Sequence, residues 1–98
     1  MSWATHYILK LQTEPEVEFR PRGNSMEPLV KDNQLVRVRK LAEDEPVEQG
    51  YIVLVTVQGR QFLHLVKAVQ GNRVLIGNNR GGLNGWTPRK QVHGILVR

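Results

Sequence analysis

An all-β fold with mostly antiparallel strands is the fold class that this 98-residue sequence predicts. Runs rich in β-branched residues recur along the chain, and short turn signals containing Gly, Asn or Pro separate them. No stretch stands out for the 3.6-residue periodicity of an amphipathic helix. The length suits one small hydrophobic core, so we expect residues 1–98 to form a single domain.

The first half of the chain is predicted to contain three strands. Residues 6–11 have the apolar content of a strand, and residues 16–19 and 35–40 alternate polar and apolar side chains as half-buried strands do. Residues 41–49 are acidic, contain Pro46 and lack alternation, so we expect a loop there.

The second half is predicted to form four further strands: residues 51–57, 60–69, 73–76 and 92–97. Gln58-Gly59 and Gly71-Asn72 have the composition of tight turns between antiparallel strands. The Gly- and Asn-rich residues 77–85 are interpreted as a loop. Trp86 follows that loop, and we expect it to fill the core; the alternative is that it lines a substrate groove.

Charge is distributed unevenly along the sequence, whose net charge is +5. After Glu48 there is no acidic residue, so a catalytic carboxylate would have to come from residues 14–48. The basic second half fits an anionic partner, nucleic acid or an acidic peptide, or else solvated outer faces of strands. Nucleic acid is the less favoured partner, because the few aromatic residues are not interleaved with the basic ones.

Several classes of protein are not indicated by the sequence. There is no Cys, so we expect no disulfide and no thiolate metal site, and the three His residues lie far apart. We expect no metal and no cofactor. No apolar run approaches the roughly 20 residues of a membrane span, and no signal-peptide pattern opens the chain. A cytoplasmic protein without a membrane span is therefore predicted.

One turn carries the strongest indication of chemistry: Gly23-Asn24-Ser25-Met26-Glu27-Pro28. A Ser on a tight turn can direct its hydroxyl at a substrate and its own N–H at a developing oxyanion. Gly23 would leave room for a substrate backbone, the Asn24 side chain would assist, and Met26 would pack beneath the turn. A Ser in a turn is also commonly just a turn residue.

The order of motifs resembles that of the S24/S26 serine peptidases, which include the catalytic domains of LexA-type repressors and the signal peptidases. The motif Gly-x-Ser-Met-x-Pro at residues 23–28 precedes an apolar strand, the motif Gly-x-Ile-Val-x-Val at residues 50–55, a long strand with a basic residue, and Gly77-Asn78-Asn79. The resemblance extends from Phe19 to the end of the chain. It implies a coiled, mostly antiparallel β-fold and a Ser nucleophile, Ser25.

The general base implied by the resemblance is Lys in most members of the family and His in a subset. The corresponding position in this sequence falls on His64, and Lys67 is the competing candidate. The two residues would point to opposite faces of a regular strand, so only one could face Ser25. We predict His64, since imidazole accepts a proton near neutral pH. The resemblance places Asn78 where the His-type relatives have an Asp that orients the base.

A serine endopeptidase with a Ser25–His64 dyad, acting on an extended peptide or protein, is the predicted function. The segment before Ser25 contains no Ala-Gly or Cys-Gly dipeptide and no helix-turn-helix, so we expect action in trans rather than self-cleavage. An amide at Asn78 would not stabilise an imidazolium by charge. A weakly active or inactive peptide-binding domain is therefore the alternative, and a nucleic-acid-binding domain the less favoured one. The sequence leaves a homodimer open.

Overall fold

The computed structural model describes residues 2–98, which contain seven β-strands, one α-helix and one 3-10 helix. In chain order they are α1 (Thr5–Lys10), β1 (Glu16–Phe19), β2 (Val36–Lys40), β3 (Ile52–Val57), β4 (Arg60–Gln70), β5 (Arg73–Gly77), β6 (Leu83–Pro88), the 3-10 helix Arg89–Gln91 and β7 (Val92–Leu96). The strands form one sheet in the order β1-β2-β7-β3-β4-β5-β6, and all neighbours are antiparallel. The all-β prediction is confirmed. No described helix is long and apolar enough to cross a bilayer.

The strand predicted at residues 6–11 is wrong, because this segment forms helix α1. Ala4, Ile8 and Leu11 are buried, whereas His6 and Leu9 are exposed. Spacings of four and three residues place the buried side chains on one stripe of a helix. The segment is apolar, as predicted, but its buried side chains recur with the period of a helix and not with that of a strand.

The loop predicted at residues 77–85 is shorter than expected, because β6 begins at Leu83 and pairs with the end of β5. Trp86 lies on the solvent side of β6 and is 38% exposed, with the Arg73 guanidinium 5.1 Å from its ring centroid. The next residue, Thr87, is buried instead. Alternation along β6 thus turns Trp86 outward, and the prediction that it fills the core is wrong.

Two apolar clusters hold the sheet, and β3 belongs to both. Ile52 and Leu54 contribute to a first cluster that includes α1, and Val53 and Val55 contribute to a second cluster with β5 and β7. These four side chains are at most 1% exposed. A strand buried on both faces appears as a continuous apolar run, which explains why the sequence lacks alternation here. The first cluster also includes Met26, so it supports the serine turn.

Candidate active site

Ser25 lies in the turn between β1 and β2, over the first cluster. Gly23 has φ of 107°, a conformation that favours Gly, and its N–H donates to the Asp32 carboxylate over 2.8 Å. Met26 is 5% exposed and packs into the cluster, as predicted. These contacts at either end hold Ser25 in a half-buried position.

Three backbone carbonyls of this turn accept hydrogen bonds from the loop between β5 and β6. The Asn79 N–H donates to the Ser25 carbonyl over 2.8 Å. The Asn79 side-chain amide donates to the Glu27 carbonyl over 2.9 Å, and Arg80 Nε donates to the Asn24 carbonyl over 3.0 Å. Asn79 and Arg80 therefore position the serine turn, a role that the sequence analysis assigned to neither.

Asn78 stabilises the loop between β5 and β6 and makes no hydrogen bond to His64. Its Oδ1 accepts from the N–H groups of Arg80 and Gly82, at 2.8 and 2.9 Å, and its own N–H donates to the Gly82 carbonyl over 2.9 Å. Both lone pairs of this oxygen are used by local amides, and the two ring nitrogens of His64 face Ser25 and Asn84 instead. The expectation that Asn78 orients His64 therefore disagrees with the geometry.

His64 lies between Ser25 and a different amide, that of Asn84. Its Nε2 is 3.2 Å from Ser25 Oγ, and its Nδ1 is 2.7 Å from Asn84 Oδ1. Since a carbonyl oxygen accepts, the proton of neutral His64 sits on Nδ1, and the Nε2 lone pair faces the hydroxyl. The Phe62 ring stacks on the imidazole with centroids 4.9 Å apart. The predicted proximity of Ser25 and His64 is therefore present.

An irregularity in the sheet aims Asn84 at His64. The β5–β6 pairing steps from Ile76↔Gly85 to Gly77↔Leu83, which leaves Asn84 as an extra residue in β6. Such a bulge redirects a side chain out of the ordinary alternation. A single sequence contains no direct signal for it; the polar Asn between Leu83 and Gly85 is the only indication.

The environment of His64 favours its neutral form. Burial lowers the pKa of the imidazole below its ordinary value of 6.5, and the hydrogen bond to Asn84 opposes this in part. A neutral imidazole is the form that can accept the Ser25 proton. Because Asn84 is uncharged, the site lacks a group that would stabilise the imidazolium by charge.

Lys67, the competing base, lies elsewhere. The β4–β5 pairing steps from Val66↔Ile76 to Ala68↔Leu75, so Lys67 is itself an extra residue and simple alternation from His64 does not apply to it. Its aliphatic chain passes Gly77, where a Cβ atom would lie 3.0 Å from Lys67 Cε. Lys67 does not line the cavity beside Ser25.

The backbone N–H of Ser25 is available to a ligand, since it donates to no group among residues 2–98. The Gly23 N–H is engaged by Asp32 and the Glu27 N–H by the Asn24 carbonyl, at 3.2 Å. The exposed Asn24 side chain makes no hydrogen bond within the same residues, so it too is free to reach a substrate. This turn can therefore present donors beside the hydroxyl.

A cavity of about 110 Å³ opens beside Ser25 and His64. Met26 and Phe62 contribute apolar surface, and Trp3, 48% exposed, adds an aromatic wall from the N-terminal segment. The cavity is concave and mixed in polarity, as small binding sites are.

The other two histidines lie apart from this site. His93 Nε2 is 2.8 Å from Thr56 Oγ1, and burial lowers the pKa of its ring. His6 is exposed and has its ring edge against Tyr7. In the part of the chain that the structure describes, no group of three or more His, Cys, Asp or Glu side chains could hold a metal ion.

Comparison with models of known protein families gives a match. A family model described as Peptidase S24-like matches residues 9–89, which is most of the chain and includes Ser25, His64 and Asn84. No curated protein sequence matches the chain.

Proposed function

Since this chain belongs to the Peptidase S24-like family, we propose that it is a serine peptidase whose nucleophile is Ser25 and whose base is His64. The observation that carries the proposal is the 3.2 Å approach of Ser25 Oγ to His64 Nε2, with Nδ1 held by Asn84. A hydroxyl, a base and a group that orients the base are the elements of an activated nucleophile.

The reaction follows from this geometry. Ser25 Oγ attacks the substrate carbonyl and passes its proton to His64 Nε2, while the Ser25 N–H donates to the oxyanion. The C–N bond then breaks, and the imidazolium returns the proton to the leaving amine. Water, deprotonated by His64, attacks the acyl-enzyme ester, and Ser25 regains its proton as the acid product leaves.

The substrate of the proposed reaction is an extended peptide bound in trans. Strand β4 pairs with β5 only from Leu65 onward, so the β4 edge at residues 60–64 is unpaired on that side within residues 2–98. A peptide can add to such an edge as a further strand. Residues 5–10 and 16–19, which precede the serine, are engaged in α1 and β1. The peptide bound at this edge is therefore proposed to come from another chain.

A peptide-binding domain with little turnover is the second candidate, and Asn84 favours it. An amide fixes the tautomer of His64 but does not supply the charge of the Asp in a complete triad, whose loss can reduce kcat by about 10⁴. The two candidates share the peptide site and differ in the reactivity of Ser25.

Labelling by an uncharged alkyl fluorophosphonate separates them. Ser2 and Ser25 are the two serines of the sequence, so peptide mass mapping compares the proposed nucleophile with an exposed internal control. We expect Ser25 to be labelled selectively. His64→Ala should slow its labelling by about 100-fold, and the matched variant His93→Ala should not.

Equal labelling of Ser2 and Ser25, with no cleavage of pooled peptides, would reject the peptidase in favour of the binding domain. A Ser25 rate that His64→Ala leaves unchanged would reject His64 as the base.

A further inference from the structure

Basic side chains surround the Ser25–His64 pair. Arg22 and Lys31 line its cavity, and both are exposed. The Arg60 guanidinium lies 6.0 Å from the centroid of Phe62, the ring that stacks on His64.

Acidic side chains do not line this cavity. The Asp32 carboxylate keeps its charge while it accepts from the Gly23 N–H, but Asp32 does not line the cavity. Among residues 2–98, neither Arg22 nor Lys31 forms an ion pair. The side chains that line the cavity therefore carry a positive charge and no negative one.

Elsewhere in the described residues, acidic and basic side chains do pair. Arg37 on β2 pairs with Glu16 and Glu18 on the edge strand β1, and Arg39 binds Glu45. These acidic residues thus neutralise cations of β2, and the absence of acidic residues from the cavity lining is a local feature rather than a consequence of the net charge.

We propose that the substrate of this site is an acidic peptide, with Asp or Glu side chains within a few residues of the bond placed at Ser25. The inference rests on the proposed function for the location of that bond. Carboxylates on a strand added to the β4 edge would meet Arg22 and Lys31, which line the cavity, and Arg60, which lies on the added edge itself. Exposed cations also steer an anionic substrate toward the cleft.

The test compares matched peptide pools that differ only in carrying Glu or the isosteric Gln at two positions flanking the centre. With the unmodified chain at low salt, we expect the Glu pool to be cleaved with about 10-fold higher kcat/KM, consistent with several exposed charge contacts. The preference should shrink as salt is added.

Charge-removing variants identify the cations responsible. Arg22→Gln combined with Lys31→Gln should reduce the preference markedly, whereas Arg73→Gln combined with Lys90→Gln removes the same charge away from the cavity and should retain it in full. Labelling of Ser25 by the uncharged phosphonate should be unchanged in the Arg73/Lys90 control, and circular dichroism checks that both double variants are folded.

Binding to the Ser25→Ala variant keeps the inference separate from catalysis. Fluorescence anisotropy with the same pools, labelled with fluorescein, should give the same preference even if no peptide is cleaved. Equal binding of Glu and Gln pools would overturn the inference, as would loss of the preference in the Arg73/Lys90 control. Tighter binding of a single-stranded oligonucleotide of equal charge would also overturn it and assign the basic surface to nucleic acid.

Discussion

Two loops are attached to this sheet in different ways. The serine turn is held chiefly by the two amide groups of Asn79, which donate to its carbonyls, and its bonds to Asp32 and Arg80 each join one charged group to the backbone. The acidic loop after β2, residues 41–49, is held by the charged side chains of Arg39 and Arg89. Glu45 accepts from the Arg39 guanidinium, and Arg89 donates to the carbonyls of Ala42 and Glu45 at 2.7 and 2.5 Å.

Different sensitivities to pH follow from this difference. The hydrogen bond from Arg39, followed by that from the Ala42 N–H, lowers the pKa of Glu45 to about 2, so its attachment persists far into acid. Among residues 2–98 no ion pair attaches the serine turn, and the proposed reaction depends on a neutral His64. Reactivity is therefore expected to be lost at a higher pH than the attachment of the acidic loop.

Removing the Asn79 side-chain amide, which donates to the serine turn from the β5–β6 loop, should have the largest effect. Asn79→Ala leaves the Glu27 carbonyl without its partner, which should cost about 1–3 kcal/mol in the free energy of unfolding. We expect Ser25 labelling to fall about 10-fold or more, because the hydroxyl loses its alignment with His64. Labelling kinetics and urea denaturation measure the two effects.

Asn72→Ala is the matched control, since the Asn72 side chain makes no hydrogen bond among residues 2–98. Equal losses in the Asn72 and Asn79 variants would contradict the positioning role of Asn79.

Replacing the Asn84 amide beside His64 with a carboxylate should have the next largest effect on the reactivity of Ser25. Asn84→Asp keeps an acceptor at His64 Nδ1 and adds the charge that stabilises an imidazolium. The pKa of His64 should rise, and Ser25 labelling at neutral pH should increase about 10-fold. NMR titration of the imidazole and labelling kinetics check both.

Asn78→Asp is the control for the Asn84 variant, because Asn78 faces local amides instead. A larger gain from Asn78→Asp would restore the role that the resemblance implied for that residue.

As the pH is lowered, the reactivity of Ser25 should be lost before the acidic loop loses its bond to Arg39. The pKa of His64 lies below 6.5, so labelling is fastest above that pH and falls as His64 is protonated. Neutral His64 and His93 also favour the folded state. Their contribution to stability is complete above pH 6.5 and declines as the pH falls below it, where the unfolded chain binds more protons.

Glu45 changes the stability of the fold in a lower range of pH. Its depressed pKa contributes stability above the ordinary value of 4.5, and that contribution is lost as the pH falls toward about 2. Labelling and circular dichroism in one pH series should therefore show reactivity falling while the β signal persists. Simultaneous loss of both would contradict this order.

The smallest effect is expected from the acidic loop at neutral pH. Glu45→Gln removes a single charge pair that is still partly open to solvent, and such pairs contribute little. We expect a small fall in Tm at pH 7, none near pH 2, and unchanged Ser25 labelling. Glu43→Gln, an exposed loop residue outside the ion pair, is the control. A marked loss of labelling in the Glu45 variant would show that the two loops are coupled.

Local patterns in the sequence were sufficient for much of this fold. Alternation at residues 16–19 and 35–40 and the turn at Gln58-Gly59 predicted strands and a hairpin that the structure contains, the second strand beginning at Val36. The serine motif and an imidazole in an apolar strand predicted the pair that now lies 3.2 Å apart. Strand periods, turn composition and motif order depend on neighbouring residues, so they are visible without a structure.

Tertiary structure alone decided how that pair is supported. Asn84, rather than Asn78, reaches His64 because a bulge in β6 redirects it, and Asn79 reaches the serine turn across 52 positions of sequence. Helix α1 forms where local apolar content indicated a strand, since burial against the first cluster selects the helical stripe. Sheet register, bulges and long-range burial depend on residues far apart in the chain, and no local pattern encodes them.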